Sequence, residues 1–416
     1  MNVYFMTFKW SGEIYVDNIT IEMFPADNGD SFLISCKGKY KTNILIDMGY
    51  EETYKEFIKP RLIELKERGE RLDLVILTHI DADHIEGAQF FFEENGYSSN
   101  PKVIEVKEVW HNSYRHLAIK KEEQPLSERI VKRLSRKIKS LPTKKTKNEE
   151  TKVNAEQGTR IASLLYHYQY RWNTSFDDTA VMASGSSIEL NEEVKLALLT
   201  PTLPQLERLK SHWLEGLQKL FPGLSLTDDQ ILDDAIEFVS YLYPDLGVAN
   251  LTEKTAKYNE LDSLAEIPYR EDRSIVNGSS ITFCLEFEDK RMLFMGDISS
   301  TGIKKEIEKM FPDETSPIHF DVIKVAHHGS KANTSRELLK IIDSDNYLIS
   351  TNGSKHRHPH IETLARIVTR TSISNRKLHF NYETNASSKM SQVEWEKKYN
   401  YSIVKPVSGK SSIIVI

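Results

Sequence analysis

The chain has 416 residues, 39% of them hydrophobic and 28% charged, with a formal net charge of −6. That is the composition of a folded globular protein, and it excludes a uniformly basic nucleic-acid coat. No apolar run approaches the roughly 20 residues that cross a bilayer, and MNVYFMTFKWSG lacks a basic-then-apolar leader pattern, so a cytoplasmic protein without membrane contact is expected. Residues 14 to 47 alternate apolar and polar, with turn signals at 26–29 and 36–39, which predicts strands joined by hairpins. Glu51 to Arg68 has helical periodicity and stops at Gly69. LDLVIL (72–77) reads as a buried strand with a helix starting after Asp83, and Val103 to Trp110 as another strand.

From 112 to about 180 the chain turns polar and helical, with a basic centre. A strand pattern returns at Val194 to Leu199, and residues 203 to 272 form a second helical stretch that is acidic in its middle. From Ser274 strands resume as SITFCLEF, RMLFM, FDVIKVA, YLIST and a final SSIIVI. No repeat interrupts this order. The expectation is one α/β catalytic body over residues 1–416 with a basic and an acidic helical insertion. The only cysteines, Cys36 and Cys284, fall inside strands, which predicts buried thiols rather than disulfides.

Four of the buried strands end in side chains that bind metals. VILT is followed by His79, Asp81, Asp83 and His84, and MLFMG by Asp297. VIKVA is followed by His327 and His328, and YLIST, after a glycine loop, by His356, His358 and His360. A Gly-Asp after a strand is commonly a turn, and a His-His pair can cap a helix. Four such endings together are better explained by convergence on one site. Imidazole and carboxylate are the usual non-thiolate ligands of catalytic divalent ions. An i, i+2 spacing in extended chain puts His79 and Asp81 on one side, which leaves Asp83 and His84 for a second ion.

THIDADH resembles the His-x-His-x-Asp-His signature of the metallo-β-lactamase superfamily, with Asp81 in place of the second histidine. It is similar to the soluble domain of bacterial DNA-uptake competence channels. NGDSFLI (28–34), ILIDMG (44–49), NGSSITFCLEF, MLFMGD, VIKVAHHGSK and HRHPH follow in the family's order. The resemblance implies an α/β fold, the αββα four-layer sandwich, with two divalent ions at one edge. His79 and Asp81 would hold one ion, Asp83 and His84 the other, with Asp297 bridging. His358 or His360 matches the last histidine, and His327 and His328 the branch's His-His-Gly-Ser element. His111 stands where a third-motif histidine is expected. Asp47 would accept a hydrogen bond that orients a ligand histidine. The hard oxygen of Asp81 tilts the expected metal from zinc toward manganese or magnesium.

The resemblance implies metal-activated water attacking phosphorus, with Asp83, His327 and His328 as the catalytic side chains. One of the two histidines would protonate the leaving oxygen or act as a ligand, and Ser330 and Lys331 would hold a phosphate or open a helix. Between Arg115 and Lys152 stand thirteen Lys/Arg against five Glu, a patch suited to nucleic-acid phosphates. A solvated basic helix is the plainer reading of that stretch. A DNA or RNA nuclease, serving DNA processing or phage defence, is therefore expected. The alternatives are a phosphodiesterase acting on a small nucleotide or phosphorylcholine-type ester, and a non-catalytic sensing subunit whose insertions bind a protein partner.

Overall fold

The computed structural model describes residues 18–117, 161–220, 260–371 and 374–416. Most of the basic stretch and the acidic centre of the second insertion lie outside these residues. In chain order the strands are β1 (Ile19–Met23), β2 (Phe32–Lys37), β3 (Lys41–Ile46), β4 (Leu74–Ile76), β5 (Val109–Trp110), β6 (Ser187–Glu189), β7 (Val194–Thr200), β8 (Thr282–Phe287) and β9 (Lys290–Phe294). They continue as β10 (Ile318–Phe320), β11 (Val322–Lys324), β12 (Ile342–Ser344), β13 (Asn346–Ile349), β14 (Arg376–Phe380), β15 (Tyr401–Val404) and β16 (Ser412–Val415).

One sheet runs β16-β1-β2-β3-β4-β5 and the other β15-β14-β13-β11-β9-β8-β7-β6. A separate parallel pair joins β10 to β12. Strand alternation decides what each face covers. In β2, Phe32, Ile34 and Cys36 face the second sheet, where they meet Phe283, Leu285, Phe287 and Phe294. Leu33 faces the other way, onto helical residues such as Leu62, Ile85, Phe91 and Phe92. In the second sheet, Cys284, Ile323, Tyr347 and Ile349 face outward onto Ile303, Ile307, Leu338 and Leu364. Three apolar layers therefore separate four layers of structure in the order helix, sheet, sheet, helix, an αββα sandwich. Phe32 meets Phe294 edge-on across the middle layer, with ring centroids 6.1 Å apart. Both cysteines are buried free thiols.

The parallel part of each sheet positions the site. β3, β4 and β5 run parallel, as do β9, β11, β13 and β14. Their carboxyl ends therefore emerge on a common edge, where ligands of α/β sheets ordinarily bind. The helix at 51–67 widens into a π-type turn over Thr53–Ile58, just before Pro60, which has no N–H to donate backward. The next helix, Ala82–Asn95, starts one residue before Asp83, with Asp81 at its N-cap. The expected strands at 72–77 and 103–110 shorten to Leu74–Ile76 and Val109–Trp110, extended only by a Leu72–Val106 bridge. Among the described residues no helix is long and apolar enough to cross a membrane.

A charged knot ties β12, β13 and β14 together. Arg376, fully buried, donates from Nε and Nη2 to the two carboxylate oxygens of Asp343 at 3.0 and 2.7 Å. Arg370 and the Tyr347 hydroxyl also donate to Asp343 Oδ1. Burial alone would raise the Asp343 pKa, but Arg376 and Arg370 outweigh it and hold it at about 2, below the usual 3.8. Because the folded value is depressed, this stabilisation is complete above pH 3.8 and is lost as pH falls toward 2. Asp343→Asn is expected to cost about 2 kcal/mol at pH 7, less than a fully buried pair because solvent reaches the carboxylate. Urea unfolding from pH 7 to pH 2 should show the gap between variant and wild type closing below pH 3.8.

Candidate metal centre

The centre is built around Asp297, which leaves the end of β9 and is 3% exposed. Its Oδ2 lies 3.5 Å from His84 Nε2, 3.5 Å from His328 Nε2, 3.7 Å from His327 Nε2 and 4.0 Å from His79 Nε2. His79 and His84 follow β4 in the first sheet, while His327 and His328 follow β11 in the second. The two sheets meet at this one oxygen. His79 Nε2 also faces Asp81 Oδ2 at 3.6 Å, and His328 Nε2 faces Asp83 Oδ2 at 3.7 Å.

Each imidazole is aimed by the nitrogen it turns away from Asp297. His84 Nδ1 lies 2.7 Å from Asp47 Oδ2, so Nδ1 carries the proton and donates. Thr78 donates to Asp47 from both its backbone N–H and its hydroxyl, at 2.8 and 2.7 Å. With its hydroxyl proton committed there, Thr78 Oγ1 accepts from His79 Nδ1 at 3.0 Å. His327 Nδ1 donates to Asp272 Oδ2 at 3.2 Å and Asn333 Oδ1 at 3.1 Å. His328 Nδ1 donates to Asp30 Oδ1 at 3.2 Å and the Ser350 carbonyl at 3.0 Å. In all four rings the proton is thus drawn to Nδ1, which frees the Nε2 lone pair for a cation.

That cation is what the buried atoms lack. Nε2 of His79, His84 and His328 are buried without a hydrogen-bond partner. Unsatisfied polar atoms of this kind are costly unless an ion fills their coordination. Among the described residues four groups offer converging ligand atoms here; two include Asp30, and the other two are His79–His84–Asp297 and Asp83–His84–His328. The donor set fits a pair of divalent ions.

The electrostatics agree. Burial would lower the His84 pKa, yet Asp297 and Asp47 raise it well above the imidazole range. His327 is likewise raised to about 9, Asp297 and Asp272 overcoming its burial. Asp297 is held well below the carboxylate range by His328, His327 and His84, despite burial that works the other way. His358 is pushed well below the usual value by burial and the neighbouring His327 and His360. A field that holds protons on two buried imidazoles is also one that attracts metal cations.

The last loop places its histidines unequally. His358 is 7% exposed and its ring centroid lies 5.0 Å from that of His327. His360 instead stands at the N-cap of the helix Ile361–Val368, and its Nδ1 accepts from the Lys331 N–H at 3.2 Å. His356 is exposed at the loop tip. His111 is buried at the end of β5 with its ring stacked on Trp172, and it belongs to none of the converging groups. The expectation for Ser330 and Lys331 is corrected: Ser330 is buried, and the Lys331 ammonium lies 3.2 Å from Glu362. No helix starts there, since the next begins at Arg336, so neither residue is presented as a phosphate holder.

Several members of the site escape sequence reasoning. Asp272 and Ser350 act on imidazoles 55 and 22 residues away, and Asn333 on one six residues away, with no local pattern to mark them. Asp30 and Lys324 do leave a trace, as charges inside the apolar runs NGDSFLI and VIKVA. Asn28 donates to Asp83 Oδ2 at 2.8 Å and fixes that partly buried carboxylate. The Gly29 position explains why a glycine follows it. A Cβ there would lie 1.8 Å from the Asp83 carbonyl oxygen.

Asp47→Asn removes the negative charge and replaces one of the two accepting oxygens with an amide NH2, so the donors of His84 and Thr78 can no longer all be satisfied. Partners of ligating histidines contribute about 10- to 100-fold in metal affinity. A loss of that size is expected for this variant, measured by titrating manganese into metal-stripped protein, while far-ultraviolet circular dichroism stays native.

Residues 25–158 match the family model described as the metallo-beta-lactamase superfamily. ComE operon protein 3 of Bacillus subtilis (strain 168) is 31% identical over 98 residues, 23% of this chain and 12% of that protein. The match thus spans only a small part of the curated relative's length. CmlA, a diiron β-hydroxylase from Streptomyces venezuelae, aligns with 95% of this chain and 54% of its own at 10% identity and a TM-score of 0.36. A point mutant of the CmlA β-hydroxylase aligns over the same shares at 9% identity and a TM-score of 0.32. Both scores are too low to bear on fold or activity. Residues 25–158 are thus similar to the metallo-beta-lactamase superfamily, and the four-layer αββα sandwich around them is consistent with a domain of that kind.

Proposed function

We propose that the chain is a metal-dependent phosphodiesterase whose substrate is nucleic acid. The observation that carries this reading is the unequal exposure of the centre. His79, His84, His328 and Asp297 are buried, while the side chains of Asp81 and Asp83 are each 23% exposed and that of His327 is 17% exposed. Structural metal sites are closed, whereas catalytic ones keep an open side. Here the open side carries two carboxylates, hard oxygen donors that suit manganese or magnesium and substrates with phosphoryl oxygens.

Two divalent ions, when bound, supply Lewis acidity and activate water. The chain's own residues do the rest. Nδ1 hydrogen bonds hold four imidazoles in place, Asn28 orients Asp83, and the buried rings keep water from the inner wall. His327, on the open side, has Asp272 behind its Nδ1 to stabilise the imidazolium. It is the residue placed to deliver a proton to a leaving oxygen from Nε2. His328, sealed inside with both neighbours of its Nδ1 fixed, is placed as a ligand. Nucleic acid is favoured among phosphodiesters by the thirteen Lys/Arg between Arg115 and Lys152 and by the likeness to competence-type proteins.

Metal-stripped protein should recover cleavage of labelled single- or double-stranded DNA, or of RNA, when manganese, magnesium or zinc is returned. Asp83→Ala and Asp297→Ala should each lose more than about 100-fold, since removing a ligand exceeds the effect of removing its partner. Cleavage of bis(p-nitrophenyl) phosphate without any nucleic-acid cleavage would favour a small ester. Bound metal with no cleavage of either substrate would favour a sensing role.

A further inference from the structure

Lys324 is the last residue of β11, and its side chain is 1% exposed. Val322, two residues earlier on the same strand face, packs in the apolar layer between the sheets. Burying an ammonium at such a place is costly unless it is fully partnered. Its Nζ contacts the Asp30 carboxylate, donates to the Gly296 carbonyl at 3.0 Å and lies 3.7 Å from Asp297 Oδ1. Each partner leads to the metal centre. Asp30 holds the His328 ring through Nδ1, Gly296 immediately precedes Asp297, and Oδ1 is the Asp297 oxygen turned away from the four imidazoles.

Asp30, Asp297 and His328 by themselves bring ligand atoms close enough to hold an ion. In this fold the ammonium of Lys324 already supplies positive charge at that spot. A plain structural ion pair with Asp30 would account for one of its contacts. It does not account for the approach to Asp297, whose Oδ1 has no hydrogen-bond partner.

We propose that Lys324 is a positioning residue of the metal centre, a resident cation that engages Asp297 Oδ1 and Asp30, so that Asp297 presents Oδ2 alone to the ions. This rests on reading the His/Asp cluster as a metal centre. Without the ammonium, Asp297 is free to turn both oxygens toward one ion, and Asp30 becomes a competing ligand.

The test compares wild type with Lys324→Met and with Lys324→Met/Asp30→Asn, using full-length protein stripped of metal and titrated with manganese. Thermal unfolding is recorded without metal, manganese affinity by calorimetry, and the coupling between the two ions by electron paramagnetic resonance. Lys324→Met should bind manganese about 10- to 100-fold more weakly, as for other partners of ligands, with an altered coupling pattern. The double variant removes both buried charges, so its unfolding temperature should return toward wild type while its manganese affinity stays low. If affinity and coupling recover with stability, or never change in either variant, Lys324 is only a structural ion-pair partner and the proposal fails. If Lys324→Met does not fold, the double variant is compared with Asp30→Asn alone: weaker manganese binding and altered coupling in the double variant support the proposal, and equal values overturn it. Wild type that binds no manganese, magnesium or zinc overturns the metal-centre reading itself.

Discussion

Everything at the functional edge follows from one carboxylate oxygen. Asp297 Oδ2 is faced by four imidazole nitrogens, two contributed by each sheet, inside a protein where an isolated charge would be intolerable. Pairing that charge dictates which nitrogen of each ring must be free. That in turn dictates a partner behind every ring: Asp47 for His84, Thr78 for His79, Asp272 for His327 and Asp30 for His328. The layers of the sandwich are ordinary packing of alternating apolar side chains. The distinctive energetics lie in the charged shell at the strand ends.

The site is also where the backbone departs from relaxed geometry. His327 and His328 both take left-handed conformations, with φ of 47° and 53°, as does Asp47 with φ of 50°. Consecutive non-glycine residues in that region are uncommon. They allow two neighbouring histidines to turn their Nε2 atoms onto the same oxygen, which an extended strand would send to opposite faces. The hydrogen bonds at both Nδ1 atoms hold the arrangement in place.

Much of this was legible in the sequence, for a physical reason. A strand buried on both faces must be apolar along its length, so ionisable residues concentrated at its end stand out. His79, Asp81, Asp83, His84, Asp297, His327 and His328 were visible that way, and parallel strands bring such endings to one edge. The αββα layering was legible through family resemblance, and the alternation in β2 and β8 supports it. The partners behind the rings were not visible, because Asp272 and Asn333 sit in irregular chain where polar residues are unremarked. Ser330 and Lys331 were misjudged because a glycine followed by small and basic residues resembles a phosphate loop. Here that chain instead wraps inward, and Glu362 engages the lysine. β14 and β15 escape a reading of the sequence, since RKLHF carries few apolar residues and YSIV is only four residues long.

The pairing of β1 with β16 sets Thr20 opposite Val415, so the first described strand closes its sheet only with one of the last. The ligands are similarly spread, from His79 near the start to His328 and the loop of His358 far along the chain. During synthesis the ribosome must therefore release residues through Val415 before this sheet is complete, and residues through His358 before the ligand set is. Contacts so distant in sequence form late and slowly. A nascent or truncated chain would hold the first cluster of ligands without Asp297 between them, and so would lack a functional centre. The metal centre in this architecture therefore cannot assemble until both halves of the fold have been synthesised.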